Sequence, residues 1–277
     1  VNTLRLWRAQ APQRLNLEEF NAGDFQAAVS AQTDAEAISK ILYPEDSTQA
    51  GKRLRLQQQY FFVAASIHDF IHNVLPSDFD LRRLHERVIF QLNDTHPVIA
   101  IPELMRVLMD ENGMPWEQAW NVTRRCFAYT CHTLLPEALE VWPVDLIEEM
   151  LPRHMQIIYR INSLFLAEVA EQFPGNDWRV RRMSIIEEHP VRSVRMAYLA
   201  TVGSSKVNGV AELHSKLLRE RVLPDFAELY PDRFTNVTNG VTPRRFLKLA
   251  NPELSALITY KIGPDWVTDL EKLRELD

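Results

Sequence analysis

The chain has 277 residues, of which 46% are hydrophobic and 25% are charged, a composition typical of a globular protein that can bury a sizeable core. A formal net charge of −6 and an isoelectric point near 5.8 argue against a general nucleic-acid-binding protein. No apolar run reaches the roughly 18 residues of a membrane span and no secretory pattern opens the chain, so we expect a cytoplasmic protein. Cys126 and Cys131 lack a matching second pair and are predicted to be free thiols.

The first quarter of the chain is predicted to be mostly helical. VNTLRLW at residues 1–7 has a strand-like composition, and helices are expected over about 24–42 and 52–74, where apolar residues recur at helical spacing. The chain starts with Val1 and its last residues, TDLEKLRELD, stop inside a predicted amphipathic helix. We therefore interpret the sequence as a piece of a longer chain.

Polar residues follow a predicted strand in the segment RVIFQLNDTHPVIAIPELMRVLMDENG, residues 87–113. RVIFQL is the strand, Pro97 is expected at the first helical position, and Gly113 at the position just after the helix. Asp94 and His96 then lie at the carboxyl end of a strand. In open α/β sheets this is where ligand crevices form.

Two further segments repeat the order of strand, polar turn and helix. RSVRMAYLATV is followed by GSSKVNG and the helix VAELHSKLLRERV, and DRFTNV is followed by TNGVT and a short helix that Pro243 begins, with Thr242 as its N-cap. Long helices are also predicted in WEQAWNVTRRCFAYT and in the segment from Val144 to Phe173. The predicted class is a helix-rich α/β fold with its polar turns at one edge of the sheet.

Five blocks of sequence, in order, resemble the α-glucan phosphorylases, which act on glycogen, starch or maltodextrin, and specifically their bacterial-type members. The blocks are LYPEDSTQAGKRLRL, QLNDTHPVIAIPELMRVL, AYTCHTLLPEALEVWPVDLIEEMLPRHMQIIYRIN, VNGVAELHS and NVTNGVTPRRFL. The resemblance implies an internal fragment of a glycogen phosphorylase-like fold with two Rossmann-like domains. Residues 1–238 would be the later part of the N-terminal glucan-binding domain, and residues 239–277 the start of a truncated C-terminal cofactor-binding domain.

The resemblance also implies the reaction and its partners. Members of this family transfer a glucosyl unit from an α-1,4-glucan to phosphate, giving glucose 1-phosphate, and they use pyridoxal phosphate, through its phosphate group. A homodimer is expected, in which a helix like that at residues 24–42 meets its twin. Neither nucleic acid nor membrane is an expected partner.

Sugar-binding residues are implied where this chain matches the family's motifs. Asn239 and His132 would hold the 6-hydroxyl of the transferred glucose, while Asp94, His96 and Thr133 would contact the sugars of the leaving glucan. A neutral sugar offers only hydroxyls, so its recognition requires fixed hydrogen-bond donors and acceptors. A simpler alternative remains for Asp94 and His96, since polar residues at such a bend often only cap the following helix.

Two residues depart from the family pattern. Cys131 stands where Asn is common, and Phe246 replaces a Trp that packs near the cofactor, which keeps an aromatic wall without the indole donor. The lysine that binds pyridoxal phosphate belongs beyond Asp277, and no lysine in this chain has its motif. We expect this fragment to have no catalytic residue and no activity.

A metal site and a non-catalytic role are the alternatives to this interpretation. His68 and His72 have the spacing of a zinc-binding pair on a helix, but the glutamate of the H-E-x-x-H motif is missing, so we predict no metal site. The alternative function is a non-catalytic module that binds glucan or forms a dimer. The coding sequence downstream of Asp277 would distinguish such a module from the enzyme.

Overall fold

The computed structural model describes residues 3–277. They divide into two compact units, the first ending at Asn236 and the second being Val237–Asp277. The α-helices are α1 Leu17–Asn21, α2 Phe25–Lys40, α3 Gln49–Asp69, α4 Ala100–Arg106, α5 Trp116–Cys126, α6 Val144–Met150, α7 Pro152–Gln172, α8 Asp177–Met183, α9 Met196–Gly203, α10 Glu212–Leu217, α11 Pro224–Leu229 and α12 Pro252–Ile262. The strands are β1 Phe90–Asn93, β2 Phe127–Thr130, β3 Val141–Pro143, β4 Ile186–Glu187, β5 Ser193–Arg195, β6 Lys206–Gly209 and β7 Phe234–Asn236.

Short helical segments with tighter or wider turns extend or connect these elements. The wider turns are Phe70–Val74, Val107–Glu111, Leu218–Val222 and Arg244–Leu249; the tighter ones are Leu81–Glu86, Pro136–Ala138, Pro231–Arg233, Asp265–Val267 and Leu270–Leu276. No helix in the described residues is both long and apolar enough to cross a bilayer.

A four-stranded parallel sheet organises the first unit. Its strand order is β1-β2-β6-β7, and Asn93 pairs with Thr130, Thr130 with Asn208, and Asn208 with Thr235. Because the strands are parallel, the four chain segments that leave them start at the same edge. A second, antiparallel sheet has the strand order β3-β5-β4, in which Trp142 of β3 pairs with Val194 of β5. The molecule is therefore mixed α/β, as the sequence predicted.

Helices pack closely around the parallel sheet, and this packing buries their apolar faces. Ile101, Leu104 and Met105 of α4 have no exposed surface. Gly203 at the end of α9 allows a close approach, since a Cβ there would lie 2.5 Å from Cδ1 of Ile101. Burying one such aliphatic side chain contributes about 1.5–3 kcal/mol of transfer free energy.

Several predicted elements are confirmed. Helices α2 and α3 lie where the spacing of apolar residues placed them. β7 lies within DRFTNV, and β1 covers the end of RVIFQL and continues to Asn93. Gly113 has φ of +67° and its N–H donates to the carbonyl of Met109, as expected for a residue that ends a helix. Cys126 and Cys131 are both free and buried.

Three strand and helix assignments were wrong. Residues 3–7 form no strand, while Val1 and Asn2 lie outside the described residues. Most of RSVRMAYLATV is the helix α9, and the true strand β6 lies inside the predicted turn GSSKVNG. The end of WEQAWNVTRRCFAYT is the strand β2. A short apolar run carries no period that separates a buried helix from a buried strand, which explains these errors.

Predicted helix boundaries also shifted. Residues 96–99 first form tight turns, in which the N–H of Ala100 donates to the carbonyl of Pro97, so α4 begins at Ala100 and not at Pro97. The side chain of Thr242 does not cap the turn that begins at Arg244; its carbonyl accepts from the N–H of Phe246 instead. The C-terminal segment Leu270–Leu276 winds as a tighter 3₁₀ helix.

A buried ionic cluster joins α4 to α7. The carboxylate of Glu103 contacts Nε2 of His154 at 2.6 Å and accepts two hydrogen bonds from Arg106, each of 2.9 Å. Burial opposes ionisation of Glu103, but the hydrogen bonds from Arg106 and His154 outweigh it and hold the pKa of Glu103 below its usual value. Both Glu103 and His154 are almost entirely shielded from solvent.

We predict that Glu103→Ala destabilises the first unit by about 3–5 kcal/mol, because it leaves the buried His154 without its carboxylate partner, while the half-buried Arg106 keeps only its bond to Glu111. Because the pKa is lowered on folding, the contribution of Glu103 is present above its ordinary pKa of 4.5 and lost as the pH falls through the folded value. Urea unfolding at several pH values measures both effects.

Glu117→Ala is the matched control, since Glu117 lies 3.8 Å from Arg160 with an 82% exposed side chain. Exposed pairs contribute little, so we expect a change below about 1 kcal/mol. Equal losses in the two variants would contradict the assignment of a stabilising buried cluster.

Candidate functional site

Side-chain hydrogen bonds tie together the carboxyl ends of three neighbouring parallel strands. Nε2 of Gln91 donates to Oγ1 of Thr130 at 2.9 Å, and that hydroxyl donates to Oδ1 of Asn208 at 2.8 Å. The backbone N–H of Cys131 also donates to the carbonyl of Asn208 at 2.9 Å. These bonds fix where the chain leaves β1 and β2. The last residue of β1 and the loops that follow β1 and β2 form a polar rim, defined here as Asn93, Asp94, His96, His132 and Thr133.

Asp94 occupies a strained backbone position immediately after β1. Its φ is +67°, which is uncommon for a residue other than glycine, and its N–H donates to the carbonyl of Thr130. The Asp94 carboxylate accepts from the N–H of Thr95 at 2.6 Å. No side chain caps the start of α4 at Ile99, so neither Asp94 nor His96 performs the capping role that the sequence left open.

His132 follows β2 and meets Asn93 at the end of β1. Nε2 of His132 lies 2.5 Å from Oδ1 of Asn93. A carbonyl oxygen only accepts, so Nε2 carries the proton and Nδ1 is left as an acceptor in the neutral ring. The imidazole is exposed at the rim.

The loop that carries His132 is held by short-range bonds on both sides. The buried thiol of Cys131 donates to the carbonyl of Thr133 at 3.2 Å, and Oγ1 of Thr133 accepts from the N–H of Leu135 at 3.1 Å. Burial raises the pKa of Cys131, so the thiol keeps its proton and remains a donor. Thr133 is half-buried, and its hydroxyl accepts one hydrogen bond within the loop.

His96 faces Glu140, a residue that the sequence did not single out. Nδ1 of His96 lies 3.6 Å from Oε1 of Glu140, which also accepts from Nε2 of Gln59 at 2.8 Å. The carboxylate of Glu140 raises the pKa of His96 above its ordinary value, partial burial opposes this, and Asp94 adds to the increase. Oε2 of Glu140 is buried and has no hydrogen-bond partner among residues 3–277.

A cavity of about 360 Å³ opens beside His96. Its polar lining includes Tyr43, Arg55 and Gln59, and its walls are otherwise mostly apolar. The ring of Tyr43 meets the ring of His96 edge to face, with centroids 5.8 Å apart, and the guanidinium of Arg55 lies 5.8 Å from the Tyr43 centroid. The cavity thus combines aromatic surface with fixed hydrogen-bonding groups.

Asn239 and Phe246 belong to the second unit, so the structure does not place them relative to the polar rim. Both are exposed within that unit, Phe246 by 65%. The rim residues, in contrast, are brought together by adjacent parallel strands of the first unit.

Sequence reasoning missed Glu140, Arg55 and Gln59. Glu140 precedes β3, a strand of three residues that is too short to show a period, and Arg55 and Gln59 lie on a long helix among other polar residues. Family blocks carried a usable signal for two of these residues, since AYTCHTLLPEALEVW contains Glu140 and LYPEDSTQAGKRLRL contains Arg55, whereas Gln59 lies outside the blocks.

Metal ligation has little support in the described residues. The rings of His68 and His72 lie with their centroids 4.2 Å apart, but the structure from Thr3 to Asp277 holds no group of three or more side chains suited to a metal ion.

Comparison with known proteins identifies the family. The model of the carbohydrate phosphorylases matches residues 1–277. The chain is 52% identical to liver glycogen phosphorylase of Ovis aries over 285 residues, covering 100% of this chain and 34% of that protein. It is 50% identical over 277 residues to glycogen phosphorylase of Synechocystis, covering 100% of this chain and 33% of that protein. It is 51% identical over 271 residues to glycogen phosphorylase of Pasteurella multocida, covering 98% of this chain and 33% of that protein. The chain spans about a third of the length of these relatives. It belongs to the carbohydrate phosphorylase family.

Proposed function

We propose that this chain is the glucan-binding part of a glycogen or α-glucan phosphorylase. The whole enzyme would transfer a glucosyl unit from an α-1,4-glucan to phosphate and release glucose 1-phosphate. The observation that carries the proposal is the polar rim, where side chains from two strand ends present donors and acceptors in fixed directions. Such a site suits an uncharged ligand rich in hydroxyls.

His132 would bind a sugar hydroxyl through the nitrogen that Asn93 leaves free. Because Nε2 donates to Asn93, Nδ1 of the neutral ring can accept from an O–H group. Each neutral hydrogen bond of this kind contributes on the order of 1 kcal/mol net, and more where it tightens in the transition state. Asn239 would add a second contact to the same hydroxyl, and Thr133 a contact to the neighbouring sugar.

His96, which faces Glu140, would hydrogen-bond the sugars of the leaving glucan. A protonated His96 turns Nδ1 toward Glu140 and can donate to a sugar hydroxyl through Nε2. Asp94 adds a carboxylate acceptor whose backbone is fixed by the bond to Thr130. The edge-on ring of Tyr43 would shield the same sugars from water.

The larger architecture extends the same proposal. We infer two Rossmann-like domains, the first ending near residue 238 and the second continuing past residue 277. Helix α2 would form the homodimer contact, since Phe25 and Val29 are 60% and 44% exposed there. The free buried thiols accord with a reducing compartment such as the cytoplasm.

Pyridoxal phosphate would be bound by the part of the enzyme that this chain lacks. A Schiff-base lysine needs an enclosed pocket that favours its neutral form. Lys52 is half-buried, and the other six lysines are exposed, namely Lys40, Lys206, Lys216, Lys248, Lys261 and Lys272. These residues do not fit the cofactor, so we assign no step of the reaction to it within this chain. Phe246 would line its pocket as an aromatic wall.

We predict that His132→Ala and Asn239→Ala, each in the complete enzyme, lower kcat/KM for phosphorolysis of maltoheptaose by roughly tenfold or more, because each removes a bond to the transferred sugar. His68→Ala, an exposed histidine of α3 outside the polar rim, is the control and should retain the wild-type value. Unchanged kinetics in both rim variants would refute these two assignments.

The pKa of His96 offers a test that is independent of activity. In the native protein the imidazole should remain protonated above its ordinary pKa of 6.5, because Glu140 favours the charged form. Glu140→Gln removes that charge, so burial should then dominate and lower the pKa of His96. Stability from the pair is full below pH 6.5 and lost as the pH rises through the folded pKa.

An NMR titration of the His96 ring measures this shift. Glu137→Gln changes an exposed glutamate of the same segment and should leave the titration curve in place. A curve that does not move in Glu140→Gln would show that the two groups are uncoupled.

The 277-residue chain should not bind pyridoxal phosphate specifically, since none of its lysines is enclosed. We expect borohydride reduction after incubation with the cofactor to label several exposed lysines weakly. Peptide mapping that instead found one lysine labelled stoichiometrically would contradict the assignment of the cofactor to the missing part.

A further inference from the structure

Thr130 lies in the middle of the carboxyl edge of the parallel sheet. It is the last residue of β2, and it pairs with Asn93 of β1 on one side and with Asn208 of β6 on the other. Residues that lie directly opposite each other in adjacent strands present their side chains on the same face of the sheet. These side chains therefore form one polar row, although the other residues of β2 are buried.

The hydroxyl of Thr130 has a fixed direction, which follows from the carbonyl of Gly209. A carbonyl oxygen only accepts, so Nδ2 of Asn208 must face Gly209, at 2.8 Å, and Oδ1 of Asn208 must face Thr130. The hydroxyl then donates to Oδ1 at 2.8 Å, and its lone pair accepts from Nε2 of Gln91 at 2.9 Å. The Thr130 network, defined as Gln91, Thr130, Asn208 and Gly209, is thus ordered in one direction and joins β1, β2 and β6.

Backbone bonds of the same residues hold the chain on both sides of the contact that His132 makes. The carbonyl of Thr130 accepts from the N–H of Asp94 at 3.0 Å, which fixes the chain as it leaves β1. The carbonyl of Asn208 accepts from the N–H of Cys131 at 2.9 Å, which fixes the chain immediately before His132. The contact of 2.5 Å between His132 and the end of β1 therefore depends on the spacing of these strand ends.

We propose that Thr130 and Asn208 are positioning residues for the sugar-binding nitrogen of His132. The inference rests on the proposed function, in which Nδ1 of His132 accepts from a hydroxyl of the transferred glucose. The Thr130 network keeps the strand ends at one spacing, so that Nε2 of His132 meets Asn93 and Nδ1 is left for the sugar. Loss of the network lets the strand ends separate and the imidazole turn, although no atom that contacts sugar is removed.

Steady-state phosphorolysis of maltoheptaose by the complete enzyme tests the role of the hydroxyl. Thr130→Val keeps a β-branched side chain that suits a strand, but it removes both bonds of the hydroxyl. A small displacement of a binding group costs most in the transition state, so kcat should fall roughly tenfold while KM changes by less than about twofold. Thr130→Ser keeps the hydroxyl and should recover at least about half of the wild-type kcat.

Thr123→Val is the matched control. Thr123 is fully buried in α5, outside the polar rim, and its hydroxyl donates to Sδ of Met105 at 3.3 Å. This variant also loses the hydrogen bond of a threonine hydroxyl, so its effect should appear in the thermal unfolding midpoint and not in kcat.

Gln91→Leu tests the network from its other end. Gln91 is exposed, so this change removes the donor to Thr130 without opening the core. The remaining bond to Asn208 still holds the hydroxyl, and kcat should therefore fall only about twofold. Thermal unfolding midpoints verify that each variant is folded.

The ring of His132 gives a measurement that does not depend on turnover. In complete enzyme with isotope-labelled histidine, the resonances that His132→Ala lacks assign the ring nitrogens. Their chemical shifts in the wild type should show the proton on Nε2, since Oδ1 of Asn93 only accepts. Thr130→Val should shift the ring toward a mixture of both tautomers, and Thr130→Ser should keep the wild-type shifts.

The outcomes separate the positioning role from the proposed function. Wild-type kcat in both Thr130→Val and Gln91→Leu, or an equal loss of kcat in Thr130→Val and Thr123→Val, overturns the role and leaves the function standing. Failure of Thr130→Ser to recover kcat also overturns the role, because the hydroxyl would then not be the cause. A wild type that turns over no maltoheptaose rejects the function. The His132 ring then decides the role: an unchanged tautomer in Thr130→Val overturns it, and a mixture supports it.

Discussion

Parallel pairing of β1, β2, β6 and β7 is the constraint on which the rest of the first unit depends. It places Asn93, Thr130 and Asn208 in one row, and the loops that follow β1 and β2 then leave from one edge. The Asn93 to His132 bond and the polar rim both require this register. A slip by one residue would turn every side chain to the opposite face and separate the two groups.

Buried charged groups and exposed polar groups have different roles in this protein. Glu103 and His154 are paired deep between α4 and α7, where removal of one partner leaves the other uncompensated. At the rim, in contrast, Nδ1 of the exposed His132 is left as an acceptor. Unsatisfied groups at a surface crevice indicate a site that is completed by a ligand, which is why the rim supports the proposal of sugar binding.

The sequence by itself determined the helices with clear period, the mixed α/β class, the family and the polar bend at Asp94 and His96, because these depend on local pattern or on contiguous motifs. It misplaced β2 and β6, since strands of four residues carry too little pattern to be distinguished from buried helix. It also could not indicate that Glu140 faces His96. That contact joins residues far apart in the chain, and only the packing of β3 and the parallel sheet into one unit brings the two side chains together.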